Sequence, residues 1–213
     1  FNVGNRVGQL TGSSPYSQSR LFSWYASAGF SYRSWANIEV TGRNDKTSVL
    51  DASKNSYFYP GVSGSLVLTD AVPMLQDNKV VSYLKLRASW NKTANSDIDP
   101  YSLQAVFGQA SGFPYGTLPG YTAGNTTYNR FLEPEFIESK EVGIESGFLD
   151  GRLNVEVSLY HQQNDNQIIP IQISSATGYT SAYLNAASFT NRGVDVDLRI
   201  TPLVSLGGVN VEF

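Results

Sequence analysis

The sequence has no cysteine, one histidine and one methionine in 213 residues. Without cysteine there is no disulfide framework, thiolate metal site or cysteine nucleophile. The lone His161 supports neither a multi-histidine metal centre nor a catalytic triad, and reads as an ordinary polar residue where a strand leaves for a loop. Charge is scarce as well: Asp, Glu, Lys and Arg make up 15% of the chain, against about 25% in soluble domains. The 15 cations and 18 anions leave a net charge of −3, with no positive field to hold a phosphate backbone, so nucleic acid is not a partner. No run of apolar residues approaches the roughly 18 that a transmembrane helix requires. A membrane role is therefore open to strands alone. The opening Phe1-Asn2-Val3-Gly4-Asn5-Arg6 has no initiator Met, basic start or apolar signal region, and reads as a mature protein or a piece of a larger one.

What the sequence does have is aromatic residues, at 13%, and alternation. Leu153, Val155, Val157 and Leu159 share one phase of a period-two pattern while Asn154, Glu156 and Ser158 share the other. Leu84 to Trp90 and Val194 to Ile200 repeat the pattern, with Lys85 and Arg87, and Asp195, Asp197 and Arg199, on the polar phase. These are half-buried antiparallel strands. Weaker examples run from Trp24 to Tyr32, Ala36 to Asn44, Phe58 to Thr69 and Glu141 to Phe148, and a last strand begins near Gly208. The fold class is all-β: about eight strands of roughly 9–13 residues, longer than the usual ~5–6 and close to the ~9–11 that a tilted strand needs to cross hydrocarbon. No helix is expected, because the apolar residues of the long connections lack helical spacing and Gly or Pro interrupts them repeatedly.

The connections alternate between short and long. Arg33-Ser34 and Asp150-Gly151 are minimal turns and Pro202 to Gly207 is a short link, whereas Asp45 to Ser56, Thr93 to Glu138 and Gln162 to Ser188 read as long loops. Asp70 to Ser82, about a dozen residues, is the untidy member of the short set. Antiparallel neighbours place alternate connections at opposite ends, so every long loop emerges on one side, as in outer-membrane barrels. Aromatics including Trp24, Phe30, Tyr32, Trp90 and Phe148 sit near strand ends and Ile38, Val40, Leu86, Val157 and Val196 near strand middles, which suits two interfacial girdles. Trp35, Tyr57, Tyr59, Tyr83, Tyr160 and Phe189 fall on the polar phase, so not every ring faces lipid. The pattern predicts an antiparallel transmembrane β-barrel segment whose polar phase, with Lys85, Arg87, Glu156, Asp195 and Asp197, faces the lumen. A soluble carbohydrate-binding β-sandwich shows the same alternation. A small complete eight-stranded barrel with a structural or adhesive role also fits the length.

Candidate chemistry is thin. Glu141 with Glu145, and Asp195 with Asp197, are carboxylate pairs of the kind glycosidases use, but on single strand faces they read as a polar channel wall, balanced across strands by Lys85, Arg87 and Arg199. Asn95-Ser96-Asp97-Ile98-Asp99 does not complete a calcium loop. No catalytic residue, metal site or cofactor is expected, and the chain reads as no enzyme. The binding signal lies in the longest connection, where rings are spread among Gly, Ser, Thr, Asn and Gln. Phe113, Tyr115, Tyr121 and Tyr128 are the substrate-binding candidates, since flat rings stack on sugar faces or peptide side chains and neutral polar groups add hydrogen bonds. Packing the loop on itself, or on a lid protein, would use the same rings.

Several motifs in order also resemble a known family. Ile38-Glu39-Val40-Thr41-Gly42-Arg43-Asn44-Asp45, Ser56-Tyr57-Phe58-Tyr59-Pro60, Tyr83 to Trp90, Leu132-Glu133-Pro134-Glu135, Ser139 to Glu145 and Asn191-Arg192-Gly193-Val194-Asp195 resemble the barrel of SusC/RagA-like TonB-dependent outer-membrane transporters, over most of the chain from about Phe22 to Pro202. One departure is Lys46, where such proteins often carry Trp. The resemblance implies a 22-stranded barrel plugged by an N-terminal domain, in the bacterial outer membrane. It further implies energy from TonB, a SusD-like surface lipoprotein lid, and a glycan or peptide substrate. Residues 1–213 would then be part of a single barrel domain, with the plug and the TonB box outside this chain.

Overall fold

A computed structural model describes residues 14–201 apart from positions 77, 79 and 105. The chain runs through β1 (Leu21–Tyr32), β2 (Ala36–Thr47), β3 (Ser56–Val67), the helical turn α1 (Leu68–Ala71) and β4 (Val81–Asn95). Three short strands follow, β5 (Phe107–Gln109), β6 (Tyr121–Ala123) and β7 (Thr126–Tyr128), before β8 (Glu135–Phe148), β9 (Leu153–Gln172) and β10 (Ser181–Ile200). The seven long strands pair antiparallel with their chain neighbours. β7 adds in parallel to the outer edge of β10, giving the order β1-β2-β3-β4-β8-β9-β10-β7, while β5 and β6 form a separate hairpin.

Register explains the alternation. Phe30, Ile38, Gly64, Ala88, Val142, Leu159 and Val194 lie at one level across β1–β4 and β8–β10, and Tyr32, Ala36, Leu66, Leu86, Ile144, Val157 and Val196 at the next. Seven strands thus present one continuous apolar face. That face is bare: Leu86 is 39% exposed, Leu159 50% and Val196 65%. A soluble sandwich would cover it with a second sheet, and among the described residues there is none, so the sandwich reading fails. Nor do β1 and β10 pair with each other, so the described sheet is an open arc rather than a closed eight-stranded barrel. Bare apolar area on this scale calls for lipid.

Rings mark both ends of the apolar face. Tyr32 meets Trp35 edge-on at 5.4 Å beside the β1–β2 turn, and Trp24 stacks on Phe58 at 6.1 Å toward the opposite end. The turns at the first end are tight because Arg33, Ser34, Leu149, Asp150 and Gly151 all adopt positive φ, which matches the twist of the flanking strands.

The structure corrects three expectations. Gln162 to Ser188 is not a loop, since β9 runs to Gln172 and β10 begins at Ser181, leaving only 173–180 as connection. Gln162-Gln163-Asn164-Asp165-Asn166-Gln167 is polar on both phases, and above a membrane neither face needs to be apolar, so the backbone ladder continues without the pattern. The strands consequently reach 20 residues in β9 and β10. The linker after β3 also contains a helical turn, α1, whose Thr69 is buried. The strand expected near Gly208 and the short link from Pro202 to Gly207 lie outside the described residues.

Candidate functional site

The polar face of the wall carries an ion-pair cluster. Lys85 Nζ lies 3.0 Å from Glu145 Oε1, and Arg87 Nη1 lies 2.8 Å from Glu141 Oε1. A second Arg87 nitrogen, Nη2, donates to Glu156 and to Ser158 Oγ at 3.0 Å. Arg87 Nε, 3.5 Å from Glu145, makes no hydrogen bond, so that pairing is coulombic only. The guanidinium can spread over three strands because position 143, its neighbour on β8, is glycine. A Cβ there would come within 2.7 Å of Arg87 Nε. Lys85, Arg87 and Glu156 are thereby brought together. Asp197 sits opposite Glu156 and Asp195 opposite Ser158 on the same face, and Arg199 opposite Asn154, so the two aspartates share the polar face without an ion pair to any described residue.

The connections 48–55, 96–134 and 173–180 share one end of the sheet, opposite the two tight turns and the 68–80 linker, and there the molecule has a core of its own. Val49, Leu50, Tyr57 and Leu132 are buried together, with Tyr59, Phe136, Ile168 and Tyr183 packed around them. Leu132 is fully buried. The segment around it is clamped: Glu133 N–H donates to Asn185 Oδ1 at 2.9 Å, Asn185 Nδ2 donates to the Glu133 carbonyl, and Ile168 N–H donates to Glu135 Oε1 at 2.9 Å. Lys54 pairs with Glu133, and Arg130 Nε reaches Asp51 Oδ2 at 3.0 Å. Hydrogen bonds from the Ser53 backbone and hydroxyl, helped by Arg130, hold the Asp51 carboxyl down at about 2. These contacts join the β2–β3 loop to the long connection and to β9 and β10. The motif Leu132-Glu133-Pro134-Glu135 gave no periodicity from which this clamp could be read.

The four ring candidates separate into two groups. Phe113, Tyr115 and Tyr121 belong to the β5–β6 hairpin and its tip, where they are 39%, 77% and 67% exposed. The Phe113 ring lies over Gly120, Gln109 Nε2 donates to the Phe113 carbonyl at 2.7 Å, and Tyr115 and Leu118 exchange backbone hydrogen bonds. Tyr128 is on β7 instead. It stacks flat on Tyr183, with centroids 4.6 Å apart and planes 5° off parallel, and packs against the core. One side of a cleft of about 300 Å³ is formed by Tyr128, and Tyr101, Leu103 and Tyr179 also line it.

The family model described as TonB dependent receptor-like, beta-barrel, matches residues 1–211. TonB-dependent receptor P26 of Formosa agariphila is 26% identical over 192 residues, 88% of this chain and 19% of its own length. TonB-dependent receptor SusC of Bacteroides thetaiotaomicron is 26% identical over 136 residues, 62% of this chain and 14% of its own. Among solved structures, the RagAB peptide importer in its closed-closed state superposes with a TM-score of 0.79 at 25% identity, covering 87% of this chain and 20% of that one. The siderophore receptor PirA of Pseudomonas aeruginosa shares the fold at a TM-score of 0.59 and 17% identity, over 87% of this chain and 32% of that one. The chain spans about a fifth of the length of the curated relatives it matches. With an open antiparallel arc, one bare apolar face, its longest connection at one end and this match over residues 1–211, the chain belongs to the TonB-dependent receptor-like β-barrel family of the bacterial outer membrane.

Proposed function

We propose that this segment is part of the wall and outer mouth of a TonB-dependent importer that takes up glycans or peptides with a SusD-like surface lipoprotein as its lid. Residues 1–213 form part of one barrel domain, completed by strands elsewhere in the full protein that pair with the open edges of β1 and β10. The plug and the TonB box belong to that remainder, and the chain is no enzyme. The apolar face meets outer-membrane lipid. The ion-pair face, with Lys85, Arg87, Glu156, Asp195 and Asp197, lines the lumen, where fixed charges hold the wall rigid beside the plug. Phe113, Tyr115 and Tyr121 stand on an exposed hairpin above the mouth, suited to stacking on a neutral sugar ring or an apolar peptide side chain. Tyr128, stacked on Tyr183, offers a separate ring on the wall of the cleft it shares with Tyr101 and Tyr179.

The observation that carries this reading is the likeness in sequence and topology to the RagAB peptide importer and to SusC. The test is deletion of the full-length gene, followed by growth and uptake on oligosaccharide or peptide as sole nutrient. Uptake of one of the two classes should be lost, return with the gene, and fail to return when TonB is disrupted. Unchanged uptake of both classes overturns the proposal. Phe113→Ala combined with Tyr115→Ala should lower uptake with barrel yield unchanged, whereas full uptake removes those rings from the site.

A further inference from the structure

On β4, β8, β9 and β10 the apolar face changes character abruptly toward its loop end. Two residues above the level of Ala88, Val142, Leu159 and Val194, the same outward phase reads Trp90, Lys140, His161 and Arg192, four directly paired residues on β4, β8, β9 and β10. Lys140, His161 and Arg192 are all exposed. With strands about 4.8 Å apart, Lys140 and Arg192 stand roughly 10 Å from each other with the imidazole between them. Glu138, one outward position above Lys140, accepts from Trp90 Nε1 at 3.0 Å and lies 2.8 Å from Lys140 Nζ. It orients Trp90 and Lys140 but neutralises only one of the row's charges. On β3 and β2 the same level is apolar, at Val62 and Val40, so the basic row is confined to β8, β9 and β10. At the turn end the outward phase carries Tyr32, Leu66, Leu84 and Phe148, with no cation among the described strand residues.

A cation on the lipid-facing phase is costly at the bilayer midplane and nearly free at an interface. Three cationic or protonatable side chains in register, at one end only, mark the level of the outer headgroups and match anionic groups there. We propose that Lys140, His161 and Arg192, with Trp90 as an interfacial ring beside them, form a seat for the phosphate-bearing headgroup of an outer-leaflet lipid. The seat rests on the barrel reading alone and is independent of the cargo. Its chemistry is phosphate recognition, and its position at the top of a hydrocarbon-facing surface commits it to a lipid phosphate rather than a free one.

The test uses the full-length transporter, purified folded and reconstituted in phosphatidylethanolamine vesicles containing either diphosphorylated lipid A or the same lipid with its phosphates removed. Retained lipid is counted by native mass spectrometry after extraction. The diphosphorylated form should be retained and the stripped form lost, with inorganic phosphate failing to displace the retained lipid. Lys140→Gln with Arg192→Gln should cut retention roughly thirty-fold, at about a factor of five per cation near the headgroups. Lys140→Arg with Arg192→Lys should preserve it, and Glu138→Gln should raise it by removing the opposing charge. Equal retention of the two lipids by the wild-type protein overturns the proposal without recourse to any variant. Displacement by inorganic phosphate would mean a free-anion site, and loss of the seat into contact between two transporter copies, seen by crosslinking through position 192, would mean a protein interface. Either result also overturns it.

Discussion

The wall and the mouth of this molecule use apolar residues in opposite ways. In the wall, Val142, Leu159, Val196 and their neighbours are large, regularly spaced and bare. In the mouth, Val49, Leu50, Tyr57 and Leu132 have no regular spacing and are buried. The wall leaves its packing to lipid, so its sequence need only alternate. The mouth stands in water and must bury its own core, as a soluble domain does. Stability in the two regions therefore answers to different solvents.

Substitutions can break or sharpen this contrast. The largest effect is expected from Leu132→Ala, which empties a fully buried site and should cost about 2–5 kcal/mol. Because that site lies in the mouth, the loss should appear as rapid proteolysis of 96–134 while the barrel keeps its heat-resistant mobility on gels. Val157→Arg should do the reverse. It lies within the outward apolar run Leu153–Leu159 of β9, between Ile144 and Val196, so about 2–4 kcal/mol should be lost from barrel folding in lipid, with the mouth unaffected once folded. If the two variants gave the same proteolytic pattern, the division would be wrong. Glu156→Gln should be nearly silent, at about 0–1 kcal/mol in urea titrations, because the carboxylate is half exposed and Arg87 keeps Glu141.

Acid provides the gentlest probe. The Asp51 carboxyl titrates lower in the folded mouth, at about 2, than in an unfolded chain, about 3.9. Its contribution is therefore fully present above the unfolded value and is lost as pH falls through about 2. Pepsin should leave the β2–β3 loop intact at about pH 4 and cut it progressively toward pH 2, and Asp51→Asn should remove that pH dependence.

The sequence made the wall legible wherever one face met lipid and the other did not. Leu84 to Trp90, Leu153 to Leu159 and Val194 to Ile200 are all strands on the expected phase. Legibility stopped where that asymmetry stops. Gln162 to Gln167 continue β9 with no pattern, and β10 shifts register between Asn185 and Phe189, because a ribbon in water has no face to distinguish. The pairing of Lys85 and Arg87 with glutamates was readable from alternating charge. The reach of Arg87 to Glu156, two strands away, was not, since it depends on the missing side chain at Gly143. The clamp around Leu132 and the parting of Tyr128 from Phe113, Tyr115 and Tyr121 depend on contacts between distant segments, which local spacing does not record.

The parallel seam between β7 and β10 has one further consequence. By occupying the free edge of β10 along Ser181–Tyr183, the long connection fills the donor and acceptor row that an incoming partner would otherwise zip along. Whatever strand completes the sheet on that side must halt beneath this folded-back cuff, so the rim height there is fixed by a connecting segment, and the upper ribbon is shielded from pairing with foreign chains.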